Sequence, residues 1–248
     1  ALLPPEQPAD EAEADIRLAI VGRTNVGKST LVNTLTGQER AIVSDIPGTT
    51  RDALDTLVEI DGKSVLLIDT AGIRRRGRVE RGIERYSVLR AIRAIDRAEV
   101  VVLVLDAEEL ATSQDAHVAN HVLNAYRGLV FAVNKWDRAR EAELTKADAT
   151  DLVRLRFGFA PYVPLCFVSA LHGSGIEEMM GHVQVVHDEW QKGVPRYELR
   201  RVVMEAVAQH PPPAARGRSL KVFSVSMDET APPTFTFYVN RPDMLHFS

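Results

Sequence analysis

An α/β fold is predicted for this chain: a mostly parallel six-stranded sheet with one antiparallel edge strand, followed by a smaller, incomplete α+β unit. Three observations predict it. Short β-rich apolar runs alternate with longer helical patterns from Ile16 onward, as in a sheet covered by helices on both faces. Two of those runs flank Asp61-Gly62, a tight-turn dipeptide, and therefore pair as an antiparallel hairpin. The last long helical pattern stops at Pro211-Pro212-Pro213, and two further strand patterns follow it.

The elements follow in order. Ile16 to Val21 is the first strand, and Ser29 to Leu35 the first helix, with Gly37 placed for a left-handed stop. Leu54 to Ile60 and Ser64 to Asp69 form the hairpin, and Val100 to Asp106, Leu129 to Asn134 and Leu165 to Ser169 are the remaining strands. Helices are expected at Gly82 to Arg97, Ser113 to Tyr126, Leu144 to Phe157 and Ile176 to Trp190. Tyr197 to His210 carries an apolar face of Leu199, Val202, Val203, Ala206 and Val207. Strands Leu220 to Ser226 and Thr234 to Val239, joined by a loop containing Pro232-Pro233, complete the smaller unit, with Phe235 and Phe237 on one face and Tyr238 on the other. Three regions result: an acidic flexible linker at 1–14, a main domain at 15–192 and the incomplete unit at 193–248. The linker, which has no initiating Met, is expected to follow an upstream segment.

Composition narrows the class. With 248 residues, 45% of them hydrophobic, the chain can bury one substantial core and a smaller one. A net charge of -4 and a pI near 6.0 argue against wholesale coating of nucleic acid and leave a local basic face open. Cys166 is the single cysteine, so no internal disulfide forms, and its apolar setting reads as a buried strand rather than a nucleophile. No apolar run approaches the roughly 20 residues that span a bilayer, and the start lacks a signal-peptide pattern. A cytoplasmic protein without membrane contact is expected.

The chemistry begins at Gly22-Arg23-Thr24-Asn25-Val26-Gly27-Lys28-Ser29, which fits GxxxxGK[ST] between a strand and a helix. Gly22 and Gly27 let the backbone curl so that successive amides face phosphate oxygens, and the helix start adds its positive end. Lys28 reaches the β- and γ-phosphates, Ser29 supplies a hydroxyl for Mg²⁺, and Thr30 follows in the first turn. An ordinary glycine turn is the plainer reading, but strand before and helix after favour the phosphate loop. Downstream, Asn134-Lys135-Trp136-Asp137 closes a strand at the edge where such sheets present ligand contacts. The Asp137 carboxylate can accept from guanine N1 and N2, a donor pair that adenine lacks. Lys135 lays its stem along the base, and Asn134 ties this loop to the phosphate loop. In Ser169-Ala170-Leu171 the Ala170 amide can donate to guanine O6. Asp69-Thr70-Ala71-Gly72 supplies a carboxylate for a Mg²⁺-bound water and a Gly72 amide for the γ-phosphate. Between these motifs, the segment Asp45 to Asp52 carries Thr50, which can close over Mg²⁺.

These five motifs, in this order, resemble the P-loop NTPases of the Ras-like class, in their translation-factor-related branch. Local sequences, among them Ile73-Arg74-Arg75, His210 to Pro213 and Leu245 to Ser248, narrow the resemblance to the Der (EngA) family of bacterial ribosome-assembly GTPases, specifically a second GTPase domain with part of a KH-like domain. Thr24 stands where that family more often has Pro. The resemblance implies GTP binding and hydrolysis to GDP, action in large (50S) ribosomal subunit assembly, contact with ribosomal RNA or protein, and an upstream GTPase domain. Lys28, Thr50, Gly72 and Asn25 are then the catalytic candidates, and Ser29, Thr50 and Asp69 the Mg²⁺ set.

Ile73 occupies the position where Ras-like enzymes use a water-orienting glutamine. The resemblance implies that Asn25 instead helps to bind K⁺ beside the β- and γ-phosphates, with carbonyls around Gly48-Thr49. An internal arginine from Arg51, Arg74, Arg75, Arg76 or Arg78 is the competing source of charge, and a solvated loop or an RNA contact the plainer uses of that stretch. In the smaller unit, Arg196, Arg200, Arg201, Arg216, Arg218 and Lys221 form a basic set, but no GxxG clamp for RNA occurs, so protein docking competes. Two alternatives to a hydrolysing switch stay open: a GTP- or GDP-dependent binding module with little hydrolysis, and a KH-bearing GTPase acting on small-subunit RNA.

Overall fold

The computed structural model of the chain describes residues 14–37, 55–70, 84–139, 143–212 and 220–242. The expected linker, apart from Ala14, lies outside them. In space the chain divides into two compact units, Ala1–His187 and Asp188–Ser248. The boundary expected from sequence is at 192/193.

The large unit holds β1 (Ile16–Val21), α1 (Lys28–Thr36), β2 (Thr56–Ile60), β3 (Lys63–Ile68), α2 (Glu84–Arg97), β4 (Val100–Asp106), α3 (Ser113–Asn124), β5 (Gly128–Asn134), α4 (Lys146–Arg156), β6 (Leu165–Phe167) and the start of α5 (Ile176–Gln191). Its sheet runs β2-β3-β1-β4-β5-β6, and only β2 is antiparallel to its neighbour. Chain order reverses direction across the sheet between β1 and β4, the place where such sheets open a ligand crevice at their carboxyl ends.

Strand periodicity explains why both faces are covered. In β4, Val100, Val102 and Val104 pack with Leu31, Val32 and Leu35 of α1 and with Met179, Met180 and Val183 of α5. Val101, Leu103 and Leu105 point the other way, onto Ala94 and Ile95 of α2, Ala119 and Val122 of α3, and Val153 of α4. These six apolar residues of β4 are wholly buried, and burial of each contributes about 1.5–3 kcal/mol. Cys166 sits in this core and donates to the Phe131 carbonyl at 3.4 Å. Burial pushes its thiol up to about 12, which keeps it protonated and inert.

Local chemistry sets the ends of elements. Asp61 and Gly62 take φ of 51° and 78°, so the β2-β3 hairpin turns as expected. Thr112 and Asp115 form a capping box at the start of α3, and the Thr145 hydroxyl accepts from the Asp148 amide at the start of α4. At the chain's entry, Asp15 accepts from the Ser64 amide at 2.7 Å and its hydroxyl at 2.8 Å, joining β1 to β3. Gly37 departs from expectation. Its φ is -96°, and its amide bonds the Asn33 carbonyl, so Gly37 itself is not left-handed. An intrahelical bond already satisfies that last turn.

In the smaller unit, α6 (Arg196–Gln209) is followed by an antiparallel pair, β7 (Val222–Thr230) and β8 (Pro233–Val239). Both strands run further than expected, because Pro233 belongs to β8 and Ala231-Pro232 alone make the turn. Val225 opposite Phe237 and Met227 opposite Phe235 share a face, with Ser224 and Tyr238 on the other. Val225 is fully buried, whereas Phe223, Phe235 and Phe237 are 56%, 40% and 47% exposed, so this core is thin. Among the described residues no helix is long and apolar enough to cross a membrane.

Candidate nucleotide site

The phosphate loop is shaped by backbone conformations. Gly22 and Gly27 take φ of 144° and 95°, and Asn25 takes 66°. A Cβ on Gly22 would stand 2.5 Å from the Val104 carbonyl oxygen, and one on Gly27 would stand 2.2 Å from Asn134 Nδ2. Both positions therefore require glycine for conformation and for space. The Lys28 ammonium donates to the Gly22 carbonyl at 2.8 Å and to the Arg23 carbonyl, which holds it against the inside of the loop. Ser29 and Thr30 lie in the first turn of α1.

The opposite end is built from side chains. Asn134, 2% exposed at the end of β5, donates through Nδ2 to the Val26 carbonyl at 2.8 Å. Its Oδ1 accepts from the Ala170 amide at 2.9 Å. One buried amide thus links the loops after β1, β5 and β6. Ala170's amide, expected to serve a guanine carbonyl, is engaged by Asn134 here, so it can reach a base only by sharing that bond. Lys135 adopts a left-handed φ of 63°, and its ammonium meets Asp106 at 2.6 Å and Glu108 at 3.7 Å. Asp137 accepts from the Ser169 hydroxyl, a bond that holds its carboxyl below the usual carboxylate range. Trp136 packs on Phe167 with ring centroids 4.3 Å apart, and its amide donates to the Val168 carbonyl.

The expected sites therefore converge on one edge of the sheet. Gly22, Arg23, Thr24, Asn25, Val26, Gly27, Lys28, Ser29 and Thr30 follow β1, and Asp69 follows β3 with φ of 57°. Asn134, Lys135 and Asp137 follow β5; Ser169, Ala170 and the exposed Leu171 follow β6. Thr50 and Gly72, together with Gly48, Thr49, Ile73 and the arginines from 51 to 78, lie outside the described residues. Arg23 contributes backbone only to the loop; its side chain turns away, toward Asp115 and Glu109. Burial alone lowers the pKa of that guanidinium, but the two carboxylates outweigh it and hold the value above normal.

Several residues that build the site escape motif reading. Asp106 fixes Lys135. Asp55 accepts from the Asp69 amide at 2.9 Å and pairs with Arg97 at 2.5 Å, so it sets the start of the loop after β3. Thr56 and Thr70 share a buried hydroxyl hydrogen bond of 2.6 Å beside it. Asp106 carried one usable signal: it ends a central strand on the ligand edge.

The sheet order, the curled glycine loop and the base-side loops define a P-loop GTPase fold of the Ras-like class. Residues 17–135 match the profile of the 50S ribosome-binding GTPase family, and residues 194–248 match that of the KH-domain-like C-terminal part of EngA bacterial GTPase enzymes. The sequence is 51% identical over 240 residues to GTPase Der of Thermomicrobium roseum, covering 96% of this chain and 52% of that protein. It is 44% identical over 244 residues to GTPase Der of Caldanaerobacter subterraneus subsp. tengcongensis, covering 98% of this chain and 56% of that one. The chain belongs to the Der (EngA) family of GTPases and spans about half the length of these curated relatives. Among solved structures, translation elongation factor SelB of Methanococcus maripaludis with the GTP analogue GPPNHP matches with a TM-score of 0.52 and 15% identity, covering 74% of this chain and 35% of that one. That likeness supports the fold.

Proposed function

We propose that this chain binds guanine nucleotides and hydrolyses GTP to GDP, serving as a switch in assembly of the large ribosomal subunit. The observation that carries the nucleotide reading is Asn134, whose buried amide joins the phosphate loop to both base-side loops. In this reading the backbone of Gly22 to Thr30 cradles the phosphates, and Lys28 turns from the Gly22 and Arg23 carbonyls to phosphate oxygens. Asp137, kept ionised by Ser169, accepts from guanine N1 and N2, while Lys135 covers the base. Ala170 and Leu171 close the pocket toward O6.

Hard oxygen donors suit the expected cations. No hydrogen bond within the described residues holds the Ser29 hydroxyl or the Asn25 side chain, which leaves both available as ligands. Ser29, Asp69 and Thr50 would hold Mg²⁺, and Asn25 would contribute to K⁺ binding; such cations supply neutralisation of charge on the transferring phosphate. The chain's own part is to fix the phosphates, to present Gly72 to the γ-phosphate and to keep the guanine oriented. Ile73 gives weight to a second reading, a nucleotide-dependent binding module that hydrolyses little, because its side chain cannot orient water. The ribosomal role draws on the matched family's description and on the relatives' names. We assign the 15–192 region to the GTPase domain and 193–248 to the KH-like domain, with the basic residues Arg196, Arg200, Arg201 and Lys221 as its candidate contact with ribosomal RNA or protein, in a cytoplasmic protein whose native chain carries a further GTPase domain upstream.

Single-turnover hydrolysis in KCl and in NaCl at equal ionic strength tests the chemistry. Faster turnover in KCl is expected, and Asn25→Ala should erase the difference while GTP binding survives. Equal rates in both salts reject the K⁺ assignment, and no turnover in either favours the binding module.

A further inference from the structure

The side chain of Arg23 has no part in the motif that contains it. It leaves the phosphate loop and reaches the start of α3, where it makes three hydrogen bonds. Nε donates to Asp115 Oδ1 at 3.2 Å, Nη1 to Glu109 Oε2 at 2.6 Å and Nη2 to the Glu109 carbonyl at 2.7 Å. The guanidinium side chain is 14% exposed and that of Asp115 is fully buried, so this is an enclosed contact rather than a solvated pair.

Its acceptors are fixed before Arg23 reaches them. Asp115 Oδ2 takes the Thr112 amide and hydroxyl, both at 2.9 Å, and so orients the carboxylate whose other oxygen faces Arg23. On the loop side, the Arg23 carbonyl accepts from the Lys28 ammonium, as does the Gly22 carbonyl, and a Cβ on Gly22 would collide with the Val104 carbonyl. Any shift of the Arg23 backbone moves the acceptor that holds the phosphate-facing lysine. The same chain segment grips the base side, where Asp106 and Glu108 hold Lys135, and Glu108 also meets Arg138 at 3.4 Å. Residues 106–115 therefore brace both loops of the site from one strand-to-helix connection.

We propose that Arg23 is a positioning residue that, through Glu109 and Asp115, docks the phosphate loop onto the start of α3 and holds it in its nucleotide-binding shape. The inference rests on the guanine-nucleotide reading above. Because the guanidinium faces away from the loop's interior, its contribution comes through loop geometry and falls on GDP and GTP alike. A planar fork with separated donors suits three acceptors lying in different directions, and a lysine would serve them poorly.

The test uses the full chain and its Arg23→Ala, Arg23→Lys and Glu109→Gln variants, with GDP and GTP affinities, KM, kcat and thermal midpoints measured together. Arg23→Ala should weaken GDP and GTP together by roughly tenfold and raise KM to match, while kcat falls by less than that factor. Arg23→Lys should recover only part of the loss. Glu109→Gln, at an exposed position that folding tolerates, should weaken both nucleotides by about threefold, and the Arg23→Ala/Glu109→Gln double variant should lose no more than Arg23→Ala alone. Lowered thermal midpoints with unchanged affinities would make the contact merely structural and overturn the proposal. A loss confined to GTP, or to kcat, would assign Arg23 to the reacting phosphate and overturn it equally. Should Arg23→Ala fail to fold, Glu109→Gln alone decides. A wild-type chain that binds neither nucleotide rejects the functional reading itself, and this inference with it.

Discussion

The two ends of the candidate site are built by different means. At the phosphate end, shape lies in the backbone: Gly22 and Gly27 hold conformations that side chains rarely adopt, and neighbouring atoms leave no room for a Cβ. At the base end, shape lies in side chains: Asn134, Lys135 and Asp137 are each held by a named partner on another loop. Backbone shape reads what all nucleotides share, whereas side-chain donors and acceptors read what distinguishes one base from another. Damage to the first end should therefore be general, and damage to the second selective.

The largest effect is expected where the two ends touch. Gly27→Ala forces a φ of 95° on an L residue and drives its Cβ into Asn134 Nδ2. Binding of every nucleotide should fall by about a hundredfold or more, measured by titration with fluorescent GDP and ATP analogues, with no gain in base preference. A selective defect there would break the division between the two ends.

Asp106→Asn should act at the base end alone. It frees the Lys135 head, whose ion pair is 25% and 12% exposed on its two sides, and should weaken GDP by about fivefold. GDP and IDP should weaken alike, because Lys135 lies along the purine face that both share, while binding of inorganic pyrophosphate should be unchanged. An equal loss for pyrophosphate would move Asp106 into the general class.

The smallest effect concerns the Ser169 hydroxyl. Asp137's depressed carboxyl pKa means that the fold favours its ionised form. That stabilisation is complete above the unfolded value of 3.8 and is lost as pH falls through the lower folded value. In Ser169→Ala the carboxyl should titrate higher than in the wild type, followed by NMR of the Asp137 carboxyl carbon, and the part of that stabilisation owed to the Ser169 hydroxyl should disappear at every pH above the unfolded value. GDP affinity at neutral pH should fall only slightly, since Asp137 stays ionised there.

The same contrast explains what was legible in the sequence. The six strands and the loops after them were readable because apolar alternation, Asp61-Gly62 and the glycine spacing are local signals. The link from Asn134 to the phosphate loop was readable because motif order placed it there. Arg23, Glu109, Asp115 and Asp106 were not, since charged residues far apart in sequence look like solvated surface until the fold brings them within hydrogen-bond reach. Gly37 was misread for the opposite reason: a local preference for a left-handed stop lost to a hydrogen bond that closed α1 within its own turn.

Competition binding with GTP, XTP and ATP on the wild-type chain and on Asp137→Asn decides whether the proposed site selects guanine through Asp137. The wild type should prefer GTP, and the variant should lose roughly a hundredfold in GTP affinity while gaining XTP, because the amide can pair with the additional carbonyl. A variant that keeps its GTP preference, or a wild type that binds ATP equally well, would contradict the account.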